Sequence, residues 1–146
     1  MRGDFVVDTN VVVKFFIDES DSQKAAALLE SFRSGSAHLI TLDLLFMEFA
    51  NVLWLKTVKG HLTRQQAEGK LARLAVLSSL MEVVPATAVL FESFQASCQL
   101  AHPAYGTAFL VLAESRAIPL ITADEKFYKK VQPRYGQVLL LRHLQV

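Results

Sequence analysis

Three carboxylates in this chain sit in surroundings that call for a chemical explanation. Asp8 closes the apolar run Phe5-Val6-Val7 and is followed by Thr9 and Asn10. Asp124 closes Leu120-Ile121-Thr122-Ala123. Glu48 lies inside Leu44-Leu45-Phe46-Met47-Glu48-Phe49-Ala50-Asn51-Val52-Leu53-Trp54, a stretch otherwise almost wholly apolar. A charge is seldom fully buried unless it is paired or binds a metal. Asn51 follows Glu48 by three residues, which puts both on one face of a helix. Each acid also has a plainer reading. Asp8 and Asp124 fit helix caps or turn residues, since Asp is favoured at the N-cap. Glu48 fits a solvated stripe on a mostly buried helix, although a stripe this narrow is unusual for a surface face.

If these carboxylates gather at one point they repel each other, and without a cation one or more must stay protonated. A hard divalent ion, Mg²⁺ or Mn²⁺, removes that conflict. Such a site suits phosphodiester hydrolysis, where the ion polarises the phosphate and stabilises developing charge. The four histidines, His38, His61, His102 and His143, show no metal-ligand spacing. His102 reads as a helix-start residue rather than a base. Contact with RNA needs local positive charge, for which Lys14, Lys56, Lys59, Arg64, Lys126, Lys129, Lys130 and Arg134 are candidates. An ordinary solvated face explains each of them equally well.

The elements that must position these groups alternate short β-rich runs with longer helical ones. Phe5–Asp8, His38–Thr41, Glu82–Val84, Pro119–Thr122 and Val138–Leu141 read as strands. Helices are expected over Asn10–Phe16, Ser22–Arg33 (capped by Ser20 or Asp21), Asp43–Lys56, Thr63–Ser79 (capped by Thr63), Thr87–Ala101, Pro103 to about Arg116, and Asp124–Val131. Strands separated by helices imply a parallel sheet covered on both faces, and near-continuous apolar strands agree. The expected fold is a three-layer α/β/α sandwich around about five short parallel strands, with residues 1–146 as a single domain. In such sheets ligands bind beyond the carboxyl ends of the strands. Asp8 and Asp124 both follow a strand, so two central parallel strands would bring them to the same edge.

Composition bounds the class. The chain has 146 residues, 52% hydrophobic and 20% charged, enough for one ordinary core. That composition excludes intrinsic disorder. Six Gly and four Pro exclude collagen-like and low-complexity classes. The lone Cys98 excludes a disulfide framework and a cysteine zinc cluster, and it suits a reducing cytoplasm. A net charge of +1 excludes tight nucleic-acid binding by bulk charge alone. The opening residues predict no secretory leader. The stretch Ser93–Ala113 carries no formal charge, but its Gln, Ser, His, Pro and Gly residues predict two helices broken at His102-Pro103 rather than a membrane span. Ala25, Ala26, Leu28, Leu29 and Phe32 fit either a partner-binding face or the core.

The ordered set Phe5-Val6-Val7-Asp8-Thr9-Asn10, Glu48-Phe49-Ala50-Asn51-Val52-Leu53-Trp54, His102-Pro103-Ala104-Tyr105, Leu112-Ala113-Glu114 and Leu120-Ile121-Thr122-Ala123-Asp124 resembles a PIN domain. The likeness is strongest to the small VapC-type toxins of toxin–antitoxin pairs, and it spans nearly the whole chain. The resemblance implies an α/β/α fold and a ribonuclease dependent on Mg²⁺ or Mn²⁺. It puts Asp8, Glu48 and Asp124 on the family's acidic, metal-holding positions, with Asn10 and Thr122 on supporting polar positions. It also implies a homodimer and an antitoxin partner. One position departs: where the family carries a further acid, after the His-Pro-x-Tyr segment, this chain has Gly106. Glu114 is roughly 12 Å further along the helix and cannot stand in, Thr107 carries no charge, and Glu125 would have to turn back into the cleft. A site short of one acid binds hard cations less tightly. The competing expectation is therefore a PIN-like fold with an impaired site that serves as an RNA- or protein-binding module. A phosphotransferase using Asp8 as nucleophile ranks third, because the position two residues on is Asn10.

Overall fold

The computed structural model describes residues 1–145. Five parallel strands form one sheet: β1 (Gly3–Val7), β2 (Ala37–Leu42), β3 (Glu82–Val84), β4 (Leu120–Thr122) and β5 (Val138–Leu140), in the order β3-β2-β1-β4-β5. The helices are α1 (Thr9–Val13), α2 (Ser22–Arg33), α3 (Leu44–Val58), α4 (Arg64–Ser78), α5 (Leu90–Leu100), α6 (Ala104–Arg116) and α7 (Glu125–Val131). All four strand pairings are parallel, as the alternation of strands and helices predicts.

Two cores lie on opposite faces of the sheet, and the strand pleat divides side chains between them. Phe5, Val7, Leu39 and Ile121 pack with residues of α1, α2, α3 and α4. Val6, Ile40, Leu42 and Leu120 pack with α6, α7 and Val89. The result is the three-layer α/β/α arrangement. Strand order reverses on either side of β1, since the chain runs outward from β1 through β2 to β3 and then returns to place β4 on its other flank. The carboxyl ends of β1 and β4 therefore border the crevice where such sheets take ligands.

Several elements differ from expectation for local reasons. The first helix ends at Val13 rather than Phe16: Lys14, Phe15 and Phe16 donate to Val11, Val12 and Val13, each three residues back, so the chain tightens into turns. Three consecutive β-branched valines, all buried, favour a helix weakly. Asp21 holds the N-cap position of α2, but in a left-handed conformation with φ of 67° and no side-chain cap bond; its carboxylate pairs instead with Arg142. The helix expected from Thr87 begins as a 3₁₀ turn over Ala86–Val89 before α5. Helices α5 and α6 are separated at His102-Pro103, as predicted, with Ala101 left-handed at φ 48°. Thr63 caps α4 in a reciprocal capping box with Gln66. Among the described residues no helix is long and apolar enough to cross a membrane.

Candidate active site

Asp8 leaves β1 with extended backbone and occupies the N-cap position of α1, yet its carboxylate makes no cap bond. It turns across the sheet edge. Asp8 Oδ2 accepts from Asn10 Nδ2 at 2.8 Å and from Thr122 Oγ1 at 2.9 Å. Asn10 Oδ1 in turn accepts from the backbone N–H of Ala123 at 2.8 Å. Asn10 and Thr122 thus lace the end of β1 to the end of β4. The pairing of Val7 with Ile121 makes this possible by bringing residues far apart in the chain to one edge.

Asp8 is buried, and burial pushes its pKa from 3.8 up to about 6 despite the lowering effects of the Thr122 hydroxyl, of Asn10 and of the Thr9 backbone. Glu48 projects from α3, which packs on α1. Its pKa is pushed from 4.5 up to about 7, first by burial and then by the negative charge of Asp8, with a small opposing contribution from the Thr9 hydroxyl. The two acids are therefore neighbours that compete for charge. Thr9 Oγ1 and Glu48 Oε1 are both buried, and neither has a hydrogen-bond partner of acceptable geometry. A buried acceptor without a donor is costly unless something else binds it.

Asp124 is placed less deeply. It caps α7, with Oδ1 accepting from Phe127 N–H at 2.9 Å, and its own N–H donates to Thr122 Oγ1 at 3.1 Å. The cap reading thus holds for one of its oxygens, and Thr122 links it to Asp8. Among the described residues no three His, Cys, Asp or Glu side chains stand close enough to form a ready-made metal cage. The structure therefore brings Asp8 and Glu48 together, with Asp124 one hydrogen-bonded step away, rather than closing all three on a single point. Asn51 is exposed, and its amide makes no hydrogen bond to the acids, so the structure does not bring it into the site.

Gly106 lies in the first turn of α6, and the imidazole of His102 fills the space beside it. Burial and the Lys130 charge lower the His102 pKa, while Asp124 raises it. Thr107 is fully buried and bonded to Ser97 and Ser93, which excludes it as a substitute. Glu125 is tied to Lys129 and Arg142, and Glu114 lies outside this group. Of the candidate cations, Lys14 and Lys56 pair with Glu19, Arg64 with Glu68 and Lys129 with Glu125. Lys130 donates to Ala101 O. Reading from sequence assigned Thr9 no role of its own and favoured His102 as a helix-start residue over a base. The available signals were the Asp-Thr-Asn triplet and the four-residue spacing of His102 from Gly106.

A family profile described as PIN domain matches residues 5–132. This chain belongs to the PIN-domain family. The PIN domain is 29% identical over 125 residues to Ribonuclease VapC3 of Pyrobaculum aerophilum, covering 86% of this chain and 92% of that protein. Its fold is similar to that of PAE2754 from Pyrobaculum aerophilum, with a TM-score of 0.65, 18% identity, and coverage of 97% and 92%. It is also similar to a chain of a toxin–antitoxin complex from Klebsiella pneumoniae, with a TM-score of 0.64, 18% identity, and coverage of 93% and 96%.

The residues of this PIN domain fit a divalent cation. Its donors are hard oxygens. Two of them belong to carboxyls that burial holds above their ordinary pKa, Glu48 being raised further by the charge of Asp8, and Glu48 Oε1 is buried without a partner. Asp8 and Glu48 would hold the ion, with Asp124 completing the acidic side and Asn10 and Thr122 fixing Asp8.

Proposed function

We propose that this PIN domain is a VapC-type toxin ribonuclease that uses Mg²⁺ or Mn²⁺ held by Asp8, Glu48 and Asp124. The observation that carries the reading is the pair of mutually repelling carboxyls, Asp8 and Glu48, at the carboxyl edge of the sheet. A divalent cation bound there supplies Lewis-acid chemistry for phosphodiester hydrolysis. The protein's own groups do the positioning. Asn10 and Thr122 fix one oxygen of Asp8, so its other oxygen is presented in a set direction. Glu48, with a pKa near 7 and one oxygen without a partner, is placed to bind the ion or accept a proton near neutral pH. Lys126, exposed on the first turn after Asp124, is the cation this reading assigns to RNA phosphates.

The partner reading rests on the kind of protein the chain resembles and on its unpartnered apolar surface. One of the similar structures is a toxin–antitoxin complex. In this chain an apolar cavity of about 760 Å³, lined by Phe15, Phe16, Leu29, Phe32, Val76 and Leu80 among others, lies apart from the acids. It suits an antitoxin segment. Exposed Leu90, Phe91 and Phe94 on α5 suit a homodimer. Ala25 and Leu28 belong to the core, whereas Leu29 and Phe32 line the cavity.

The absence of an acid at Gly106 favours one second reading, an impaired site kept as a binding module. The test is cleavage of a structured RNA by the purified chain with Mg²⁺, with Mn²⁺, or with chelator, beside Asp8→Asn. Cation-dependent cutting that Asp8→Asn abolishes is expected. Equal cutting by the parent and Asp8→Asn overturns the assignment, and RNA binding without cutting supports the module.

A further inference from the structure

The side-chain space at position 106 is not vacant: an imidazole fills it. A Cβ built on Gly106 would stand 2.7 Å from His102 Nε2 and 3.0 Å from His102 Cδ2, closer than real Cβ atoms approach. Glycine is therefore what allows this ring to lie against the first turn of α6. The ring is supported by Phe127, with centroids 4.6 Å apart and planes inclined at 37°. Phe127 is buried, and its N–H binds Asp124 Oδ1, so the ring and this acid are anchored to the same turn of α7. His102 feels the charges of Asp124 and Lys130, and no hydrogen bond contributes to its ionisation. A half-buried imidazole is thus held in place by stacking on the residue whose N–H binds Asp124, and among the described residues no hydrogen bond to its ring nitrogens is formed. Ligands held in such a supported position lose little conformational freedom on binding an ion.

We propose that His102 is a nitrogen ligand of the cation site, and that Gly106 serves to seat it. The acids alone would make an all-oxygen site suited to Mg²⁺. One imidazole among them favours first-row transition ions, because nitrogen donors strengthen binding along the series from Mn²⁺ to Co²⁺ and Ni²⁺ and do little for Mg²⁺. The occupant is then a transition-metal ion, Mn²⁺ or Co²⁺, in preference to Mg²⁺. This rests on the reading of Asp8, Glu48 and Asp124 as a cation site, and the test separates the two.

The experiment titrates MnCl₂, CoCl₂ and MgCl₂ by calorimetry into the full chain and into His102→Ala, Gly106→Ala and Asp8→Asn. Pulsed electron paramagnetic resonance on the Mn²⁺-loaded samples then looks for nitrogen coupling. Removing the ring, or displacing it with the Gly106→Ala methyl group, should weaken Mn²⁺ and Co²⁺ about tenfold or more, while Mg²⁺ affinity changes less than about twofold. Gly106→Ala keeps the imidazole and improves helix propensity, so weaker Mn²⁺ binding there cannot be put down to a damaged helix. Nitrogen coupling should be present in the parent and absent in His102→Ala. Unchanged Mn²⁺ affinity in both variants, or a parent without nitrogen coupling, overturns the proposal. If Asp8→Asn still abolishes binding in that case, the cation site itself stands. Undiminished binding by Asp8→Asn overturns the cation site.

Discussion

Asp8→Asn should stabilise the metal-free protein at neutral pH, although it removes a residue assigned to the active site. An asparagine oxygen can still accept from Asn10 and Thr122 as Asp8 Oδ2 does, so the local hydrogen bonds survive. What disappears is a buried negative charge. The pKa of Asp8 is raised from 3.8 to about 6 on folding, so the folded state holds its proton more tightly than the unfolded chain does. The associated stability is complete below about pH 4 and is lost as pH rises through about 6. At about 1.4 kcal/mol per pKa unit, the loss is about 3 kcal/mol. Glu48 adds to it over a window reaching about pH 7, by a smaller amount than its own rise suggests because it is only partly buried. For a domain of this size about 3 kcal/mol corresponds to roughly 6–12 °C in Tm. The assay is thermal unfolding followed by circular dichroism in chelator, from about pH 4 to pH 8, for parent and variant. Parent and variant should melt together at the acid end, with the variant higher by several degrees at the alkaline end. Saturating Mn²⁺ at the alkaline end should raise the parent by about 2.7 kcal/mol at a hundredfold excess over Kd and leave the variant unmoved. A variant that melts at or below the parent at pH 8 in chelator would refute the idea that Asp8 carries an uncompensated charge.

Thr122→Val removes the donor to Asp8 and the acceptor for the Asp124 N–H, so it should cost about 1–3 kcal/mol in stability and weaken cation affinity about tenfold to a hundredfold; chemical denaturation and calorimetry check the two effects. Glu48→Gln should weaken Mn²⁺ binding by about tenfold or more while leaving metal-free stability equal or higher at neutral pH, because it removes a strained charge and not a packed group. Asp124→Asn separates two roles: asparagine preserves the cap on α7 within a few tenths of a kcal/mol, so a fall in cation affinity at unchanged Tm would report the lost charge, and unchanged affinity would leave only the cap. Gly106→Asp should expel the His102 ring and add an oxygen donor, strengthening Mg²⁺ relative to Mn²⁺ in the same titration.

The order of strands and helices follows from sequence because each element repeats a local pattern. Apolar runs such as Phe5-Val6-Val7, closed by polar turn residues, read as strands buried on both faces, and Thr63 reads as the cap of the helix that follows it. The candidate acids were legible for the same reason: Glu48 stands out against apolar neighbours, and Asp8 and Asp124 each follow a strand. Helix ends were less legible where φ/ψ depends on packing, as at Val13; the bounds of α2 were legible, but not the left-handed backbone of Asp21 at its N-cap. Three things depended on side chains meeting through space. Asn10 and Thr122 converge on one oxygen of Asp8 only because β1 and β4 are neighbours, across more than a hundred residues of chain. Asn51 shares a helical face with Glu48 by spacing, yet the packing of α3 on α1 half-buries the acid and leaves the amide exposed. The family resemblance marks Gly106 as a position where an acid is expected. Tertiary packing decides what fills the gap, because Phe127 of α7 holds His102 against a backbone position that has no Cβ to exclude it.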